Sequence, residues 1–589
     1  MPNIEAIQGD SGAGGPGDPT AAAPRDGDPL EDWVEQARGE VAQGQIGAAI
    51  ERLRNGLRQD PTRARGWHLL GDLLSQWGDP TAAVEAWTQA ATWDPTNLTC
   101  RTQLGHLCRN LSQPEAAIHW HREALRLQPD ALTLRLNLAF VQPLVPTSLS
   151  QMAALQARTE KELAAIEQDI DHLKHYPNQI STCHPFYLIY ENTNHRQLLE
   201  RYGRLLGKAF AEPNPPPATP ALPGVRRGKA RLGFLSGFFY NHSHARAFEG
   251  LIQHLDRDLF DVVMIHLPAS PSDDVSRRLN AYGQEVIHLP QGLEESSTLL
   301  RQLQLGLLFY TDIGMHPWMG MLACRRHAPI QVTGWGVPQT SGMATIDAYL
   351  SGDAVEPEDG DDHYSEVLVR LPGLPCSYPR ALIQAPSRPR AWFLLPEGEP
   401  LFGCLQLFEK IHPEFDAVLE QLAQRVPQAW FVFIESKTSQ LTEIFLDRLA
   451  RTAPTAHSRL ILLSRLERPD FLALSACIDV LLDPFHFCSG VTLFETLHAG
   501  TPIVTLEGRF LRSRFVAGAY KVIGVDQPPV THSSQEYVDV AAGLITNPEA
   551  RARLAEEIRQ KANLHLYDRL DVVRGFEAFA LAAIQRGTV

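Results

Sequence analysis

"IDVLLDPFHFCSGVTLFETLHAGTPIVTL", residues 478–506, opens with an apolar run of strand length and breaks at Asp483-Pro484. It turns through Cys488-Ser489-Gly490, then continues as a helical stretch that Gly500 stops before a second apolar run. Strand, helix and strand in that order form the unit of a parallel sheet, whose strands are covered on both faces and read as continuous apolar runs. Small residues at the turn let a ligand approach the backbone, and the free N–H groups of a helix start favour phosphate. Glu495, about one turn into the helix, is placed to reach a ribose hydroxyl. The segment fits equally an ordinary β-α-β connection with a surface carboxylate.

The neighbouring sequence repeats the pattern. "PLFGCLQL", "AWFVFIES" and "SRLILLS" precede the segment as further apolar runs, alternating with helical stretches such as "FDAVLEQLAQRV". Upstream of the Pro-rich stretch "LPGLPCSYPRALIQAPSRPRAW", 371–392, a similar block holds "ARLGFLSGF", "FDVVMIHL" and "GLLFYTDIGM". Two doubly wound α/β halves are therefore expected, residues 231–385 and 386–589, with a ligand cleft at the C-terminal ends of their strands.

"EPNPPPATPALPGVRRGKAR", 212–231, carries too many prolines for a packed helix or central strand and marks a linker over 211–230. Before it, three marks recur every 34 residues: "QDPT" at 59–62, "WDPT" at 93–96 and Pro129 of "LQPD"; the alanine pairs 48–49, 82–83 and 116–117; and Gly71, Gly105 and Ala139. That spacing, with small residues where paired helices approach, resembles the tetratricopeptide repeat; about three repeats cover 31–140, and repeats with connecting helices are assigned to 31–210. Such a stack either binds peptides and proteins or caps the next domain. Residues 1–30, rich in Gly, Pro, Ala and Asp without a signal-peptide pattern, read as a disordered tail.

Bulk composition narrows the function. The 53 basic against 68 acidic residues argue against nucleic acid as partner, and no apolar run is long enough to span a bilayer. The eight cysteines are scattered without a CxxC pair, which suits reduced thiols and a cytoplasmic location. The GxGxxG at Gly12, Gly14 and Gly17 lies in the tail and is discarded. Asp256/Asp258, Asp359/Asp361 and the His119/His121 pair are short matches of the kind chance supplies, so no metal is assigned.

Two further stretches bear on chemistry. In "FGCLQLFEKIHPEF", 402–415, Lys410 follows an apolar run and precedes a helix start, where it either faces solvent or points into the cleft and neutralises a leaving diphosphate. In "LSGFFYNHSHARAFEG", Asn241, His242 and His244 follow a strand, where a neutral histidine hydrogen-bonds a substrate, accepts its proton, or serves structure alone.

Taken in order, the repeats, "HPFYLIYENTN", "GFFYNHS", "APIQVTGWGVPQTSG", "DHYSEVLVRLPG", "CLQLFEKIHP" and "SGVTLFETLHAGTPIVT" resemble the bacterial branch of the O-GlcNAc transferase and SPINDLY family. The resemblance covers nearly everything after the tail. It implies a GT-B fold of two Rossmann-like halves and metal-independent inverting transfer of a sugar, GlcNAc from UDP-GlcNAc, to Ser or Thr of a protein, with no cofactor beyond the nucleotide-sugar donor. Matched by motif, His242 stands for the family's active-site histidine, His184 for a second one, and Lys410 for the lysine that supports the diphosphate. Gln406 faces the nucleotide or sugar, Arg468 the nucleobase and Glu495 the ribose, while Gly490, Val491 and Thr492 form the phosphate turn. Pro338, Thr340 and Gly342 line the sugar and acceptor side. Related sequences often carry His-Thr-Thr or Gly-Gly-Thr-Thr at the turn; here Val491 puts a methyl group in place of one hydroxyl, and Glu409 beside Lys410 is a second departure. The alternatives are a GDP-fucose or UDP-glucose donor on the same fold, or a repeat scaffold that binds nucleotide sugar without turning it over.

Overall fold

A computed structural model of the chain describes residues 32–176, 185–210, 225–226, 228–383 and 387–589. The expected tail, most of the expected linker and His184 lie outside the described residues. The described chain falls into two units, one over 32–143 with 172–176, the other over 144–171 and from 185 onward.

The first unit is made of helix pairs: Asp32–Ala42 with Ile46–Gln59, Ala64–Trp77 with Pro80–Trp93, and Leu98–Asn110 with Pro114–Leu127, followed by Leu132–Ala139. Each mark of the 34-residue period has a packing cause. Ala49, Ala83 and Ala117 are fully buried between paired helices. A Cβ on Gly71 would meet the Trp87 ring at 2.4 Å, and one on Gly105 would meet the His121 ring at 2.5 Å, so a ring and a hydrogen face each other at matching places in successive pairs. His121 is thus a buried packing residue. Replacing Gly71 by Leu should force Trp87 off its seat, costing about 1–3 kcal/mol as overpacking does; a denaturant melt of the Gly71→Leu chain followed by tryptophan fluorescence reads that loss.

The second unit contains two parallel sheets. In the first, β1 (Val225–Arg226) pairs antiparallel with β2 (Lys229–Ser236), and β3 (Phe260–His266), β4 (Glu285–His288), β5 (Leu307–Tyr310), β6 (Ile330–Gly334), β7 (Ala348–Gly352) and β8 (Val367–Leu371) complete the order β4-β3-β2-β5-β6-β7-β8. In the second, β9 (Leu401–Gly403), β10 (Trp430–Ile434), β11 (Leu460–Leu463), β12 (Val480–Leu482), β13 (Ile503–Leu506) and β14 (Val530–Thr531) run β11-β10-β9-β12-β13-β14. All the expected apolar runs are strands, and both sheets are doubly wound, the two Rossmann-like halves of a GT-B fold. Each reverses strand order once, between β2 and β5 and between β9 and β12, and a doubly wound sheet binds ligands at that reversal.

Two boundaries differ from the sequence reading. Residues 144–171 and 185–210, grouped there with the repeats as less regular repeats and connecting helices, belong with the α/β unit. Helix Arg196–Phe210 buries Leu198, Leu199, Tyr202, Leu205 and Leu206, and at Gly203 it approaches so closely that a Cβ would lie 2.1 Å from the Gly342 carbonyl oxygen. The last helix, Leu570–Arg586, returns to the first half. Its Phe576 packs near Phe234 and Phe309, and its Glu577 accepts the Asp256 N–H at 2.7 Å.

Candidate functional site

β9 leads directly to Gln406 and Lys410, and β12 to Asp483 and the turn before Gly490, so the reversal point of the second sheet brings these segments side by side. Ile411 and His486 form a β-bridge, and the His412 N–H donates to the Phe485 carbonyl at 3.3 Å. Asp483 organises the turn. Its Oδ1 accepts the Ser489 N–H at 2.7 Å and the Ser489 hydroxyl at 2.8 Å, and its Oδ2 accepts the Thr505 hydroxyl at 2.7 Å. Burial pushes its pKa up to about 6 even so. Sequence reading noted Asp483 only as a strand end; an acid there followed by a Ser-Gly turn was the available signal.

Helix Val491–Ala499 starts at Gly490 without a side-chain cap. The N–H groups of Gly490, Val491 and Thr492 have no acceptor among the described residues, and a Cβ on Gly490 would meet nothing within 4 Å. Open space therefore faces three unsatisfied donors at the positive end of a helix. Beside them Gln406 Nε2 donates to Ser489 Oγ at 2.9 Å and Thr492 Oγ1 at 3.1 Å, while its Oε1 accepts from Lys410 Nζ at 3.0 Å. Lys410 is half-buried, its ammonium 4.9 Å from the Phe487 ring centre, and no carboxylate pairs with it among the described residues. Burial lowers its pKa. A cation held by one neutral amide and one ring has unused capacity for an anion. The Val491 methyl leaves this arrangement intact, because the donors there are backbone N–H groups.

The first sheet supplies the opposite wall. After β2, His242 caps helix Ser243–His254, its Nδ1 accepting the His244 N–H at 3.1 Å. Burial, with Arg246 and Lys437 nearby, lowers the His242 pKa to about 4, so the ring is neutral at pH 7. With Nδ1 accepting, the neutral ring carries its proton on Nε2 and offers a donor. The other strand at that reversal, β5, leads two residues beyond its end to Asp312, fully buried and pushed up to about 6 by burial, 4.0 Å from a His244 that burial holds at about 3.

Between the walls lies a cleft of about 330 Å³. Of the residues singled out by sequence, His242, His244, Pro338, Glu409, Lys410, Gly490 and Val491 line it. Gln406 and Thr492 stand behind them, bonded to Lys410 and Ser489 as above. Glu495 and Arg468 come together: Arg468 Nε donates to Glu495 Oε1 at 2.9 Å and Tyr378 donates to the same oxygen at 3.2 Å, so one oxygen of the buried carboxylate is engaged within the protein. Thr340 and Gly342 are drawn away. Thr340 donates to Glu366 at 2.6 Å, and Gly342, at φ +71°, abuts the Leu199 carbonyl. Sequence reading named no individual residue of the aromatic lining, Phe186, Tyr187, Tyr190, Trp335, Phe487, Phe494 and Phe515, though "HPFYLIYENTN" and "GWGVP" carry four of the seven. It also passed over Lys437.

Among the described residues one group has the composition of a metal site, His412, Glu414 and His486, with ligand atoms within 4.8 Å of one another. Their present bond, His486 Nε2 to Glu414 Oε2 at 2.8 Å, explains the arrangement as a hydrogen-bonded pair.

A histidine outside the cleft lining gives a pH prediction. His316 caps helix Pro317–Ala323 through Nδ1 and the Trp318 N–H, and burial lowers its pKa to about 4. The folded ring is neutral where the unfolded one, near 6.5, is charged, so its stabilisation is complete above pH 6.5 and lost as pH falls towards 4. Replacing His316 by Asn keeps a capping oxygen. It should reduce the proton uptake on unfolding between pH 4 and 6.5 by about one, read from urea midpoints across that range.

Comparison with known proteins agrees with this architecture. Residues 379–570 match the model of glycosyl transferase family 41, and residues 64–97 that of the tetratricopeptide repeat. A tomato protein described as a probable UDP-N-acetylglucosamine–peptide N-acetylglucosaminyltransferase, SPINDLY, is 24% identical over 56% of this chain and 36% of its own length. The Arabidopsis thaliana SEC protein, described likewise, is 23% identical over 62% of this chain and 38% of its own. A UDP-glucose:protein N-β-glucosyltransferase of Actinobacillus pleuropneumoniae is 23% identical over 47% and 44%. These alignments span less than half of each relative. The solved structure of a mutant O-GlcNAc transferase from Thermobaculum terrenum shares the fold, with a TM-score of 0.71 at 24% identity over 95% of this chain and 98% of its own. Among the described residues no helix is long and apolar enough to cross a membrane. Over residues 379–570, then, the chain carries the sequence pattern of glycosyl transferase family 41, preceded by helices of which residues 64–97 match the tetratricopeptide repeat.

Proposed function

We propose that the chain transfers GlcNAc from UDP-GlcNAc to Ser or Thr hydroxyls of proteins, with inversion at the anomeric carbon and acceptors recruited by the repeats. The observation that carries this is the unpaired Lys410 beside three unsatisfied N–H groups at Gly490, Val491 and Thr492. A diphosphate seated there gains charge as the bond to the anomeric carbon breaks and the electron pair moves onto its terminal oxygen, and fixed donors stabilise that state more than the ground state. The acceptor oxygen attacks from the opposite face. His242, presenting Nε2–H, donates a hydrogen bond to an oxygen in the cleft and orients it.

Lys410 and the helix end supply positive charge, so transfer is expected to persist in EDTA. Purified protein incubated with UDP-GlcNAc, UDP-glucose and GDP-fucose, with host lysate as acceptor, should add an N-acetylhexosamine mass to Ser or Thr. A hexose on Asn would instead support the N-glucosyltransferase reading that the Actinobacillus relative raises. No transfer with any donor, alongside a UDP-induced rise in melting temperature, would support a binding scaffold.

A further inference from the structure

The hydroxyl that attacks must lose a proton, and His242 is poorly placed to take it. Its Nδ1 is committed to the His244 N–H, and a neutral ring in that arrangement has its proton on the remaining nitrogen. His244 is buried with its Nε2 turned to Asp312. Among the described residues that line the cleft there is one carboxylate, Glu409. It is half-buried, and its Oε2 is sealed from solvent with no hydrogen-bond partner among the described residues. The contrast with Asp483 is chemical: three donors satisfy that anion, whereas none is aimed at Glu409 Oε2. A carboxylate with one oxygen buried without a donor is poorly stabilised as an anion and gains from receiving a proton on either oxygen.

Resting on the transferase reading above, we propose that Glu409 is the general base that takes the acceptor's proton. In the step, the hydroxyl oxygen forms a bond to the anomeric carbon as its proton passes to Glu409. The bond from that carbon to the diphosphate oxygen breaks, and its electron pair leaves with the nucleoside diphosphate beside Lys410. The groups facing Glu409 set its titration: Lys410 on its own segment, Lys437 after β10, Arg465 after β11 and the Tyr190 phenol. Burial outweighs the residue's own backbone N–H and the three cations, and raises its pKa above the ordinary carboxylate value. The sequence departure at this position thus becomes a functional one.

The test compares pH profiles of transfer for the wild type, Glu409→Gln and Glu409→Asp, with UDP-induced thermal shifts as the measure of donor-site integrity. Glu409→Gln should lower kcat about 10²-fold or more, lose the acidic limb of the profile and keep the UDP shift; Glu409→Asp should recover part of the rate and the limb. A Glu409→Gln kcat within about threefold of wild type overturns the base. So does a raised donor KM at unchanged kcat, which would make Glu409 a sugar contact. If the wild type transfers nothing with any donor, the transferase reading and the base fall together, whereas an active wild type with an unaffected Glu409→Gln removes the base alone.

Discussion

Lys410→Met should transfer sugar about 10²–10³ times more slowly than the wild type, yet the ligand-free variant should melt no lower. The two halves of this result have one cause. In the free protein the ammonium is partly desolvated, holds one amide and one ring face, and has no carboxylate partner among the described residues. An apolar chain of similar length keeps the ring contact and removes the desolvation cost. What it cannot do is meet the charge that grows on a departing diphosphate. The variant should therefore also lose most of the stabilisation that UDP gives the wild type, so calorimetry with and without UDP separates the roles. A variant that melts well below the wild type would show Lys410 to be structural, and one that transfers normally would remove it from the chemistry.

Much of this architecture was legible because its causes are local. Gly71 and Gly105 are small where a ring presses on them, and one repeat of that contact marks the period. The strands are apolar because both faces are covered, and Lys410 and Gly490 sit a few residues beyond the strands that position them. What escaped depends on partners distant in the chain. Nothing in the sequence shows that one oxygen of Glu495 is held by Arg468, 27 residues earlier. Thr340 is held by Glu366 across 26 residues, and the last helix, by sequence part of the second half, packs on the first sheet through Phe576. The donor character of His242 was hidden for a smaller reason: it follows from which N–H the cap satisfies, and only the start of helix Ser243–His254 reveals it.

Arg448 carries the largest expected stability effect. It is fully buried in helix Ser439–Thr452, with Nη1 donating to the Pro146 carbonyl at 2.8 Å and Nη2 to the Ile411 carbonyl at 2.9 Å. Asp416 lies 3.0 Å from both Nη2 and Nε and also accepts the Thr452 hydroxyl. Arg448→Met keeps the volume but leaves an anion and two carbonyls buried without it, a cost of about 3–5 kcal/mol, readable as a lowered urea midpoint. Replacing both partners, Arg448→Met with Asp416→Leu, removes the stranded charge and should recover much of that loss while leaving the Ile411 carbonyl unheld. Ile411 is the residue after Lys410 and forms the bridge to His486, so the double variant should regain stability more fully than transfer rate. Equal recovery of both would show that Arg448 serves the core alone; a single variant within about 1 kcal/mol of wild type would contradict the buried-charge argument itself.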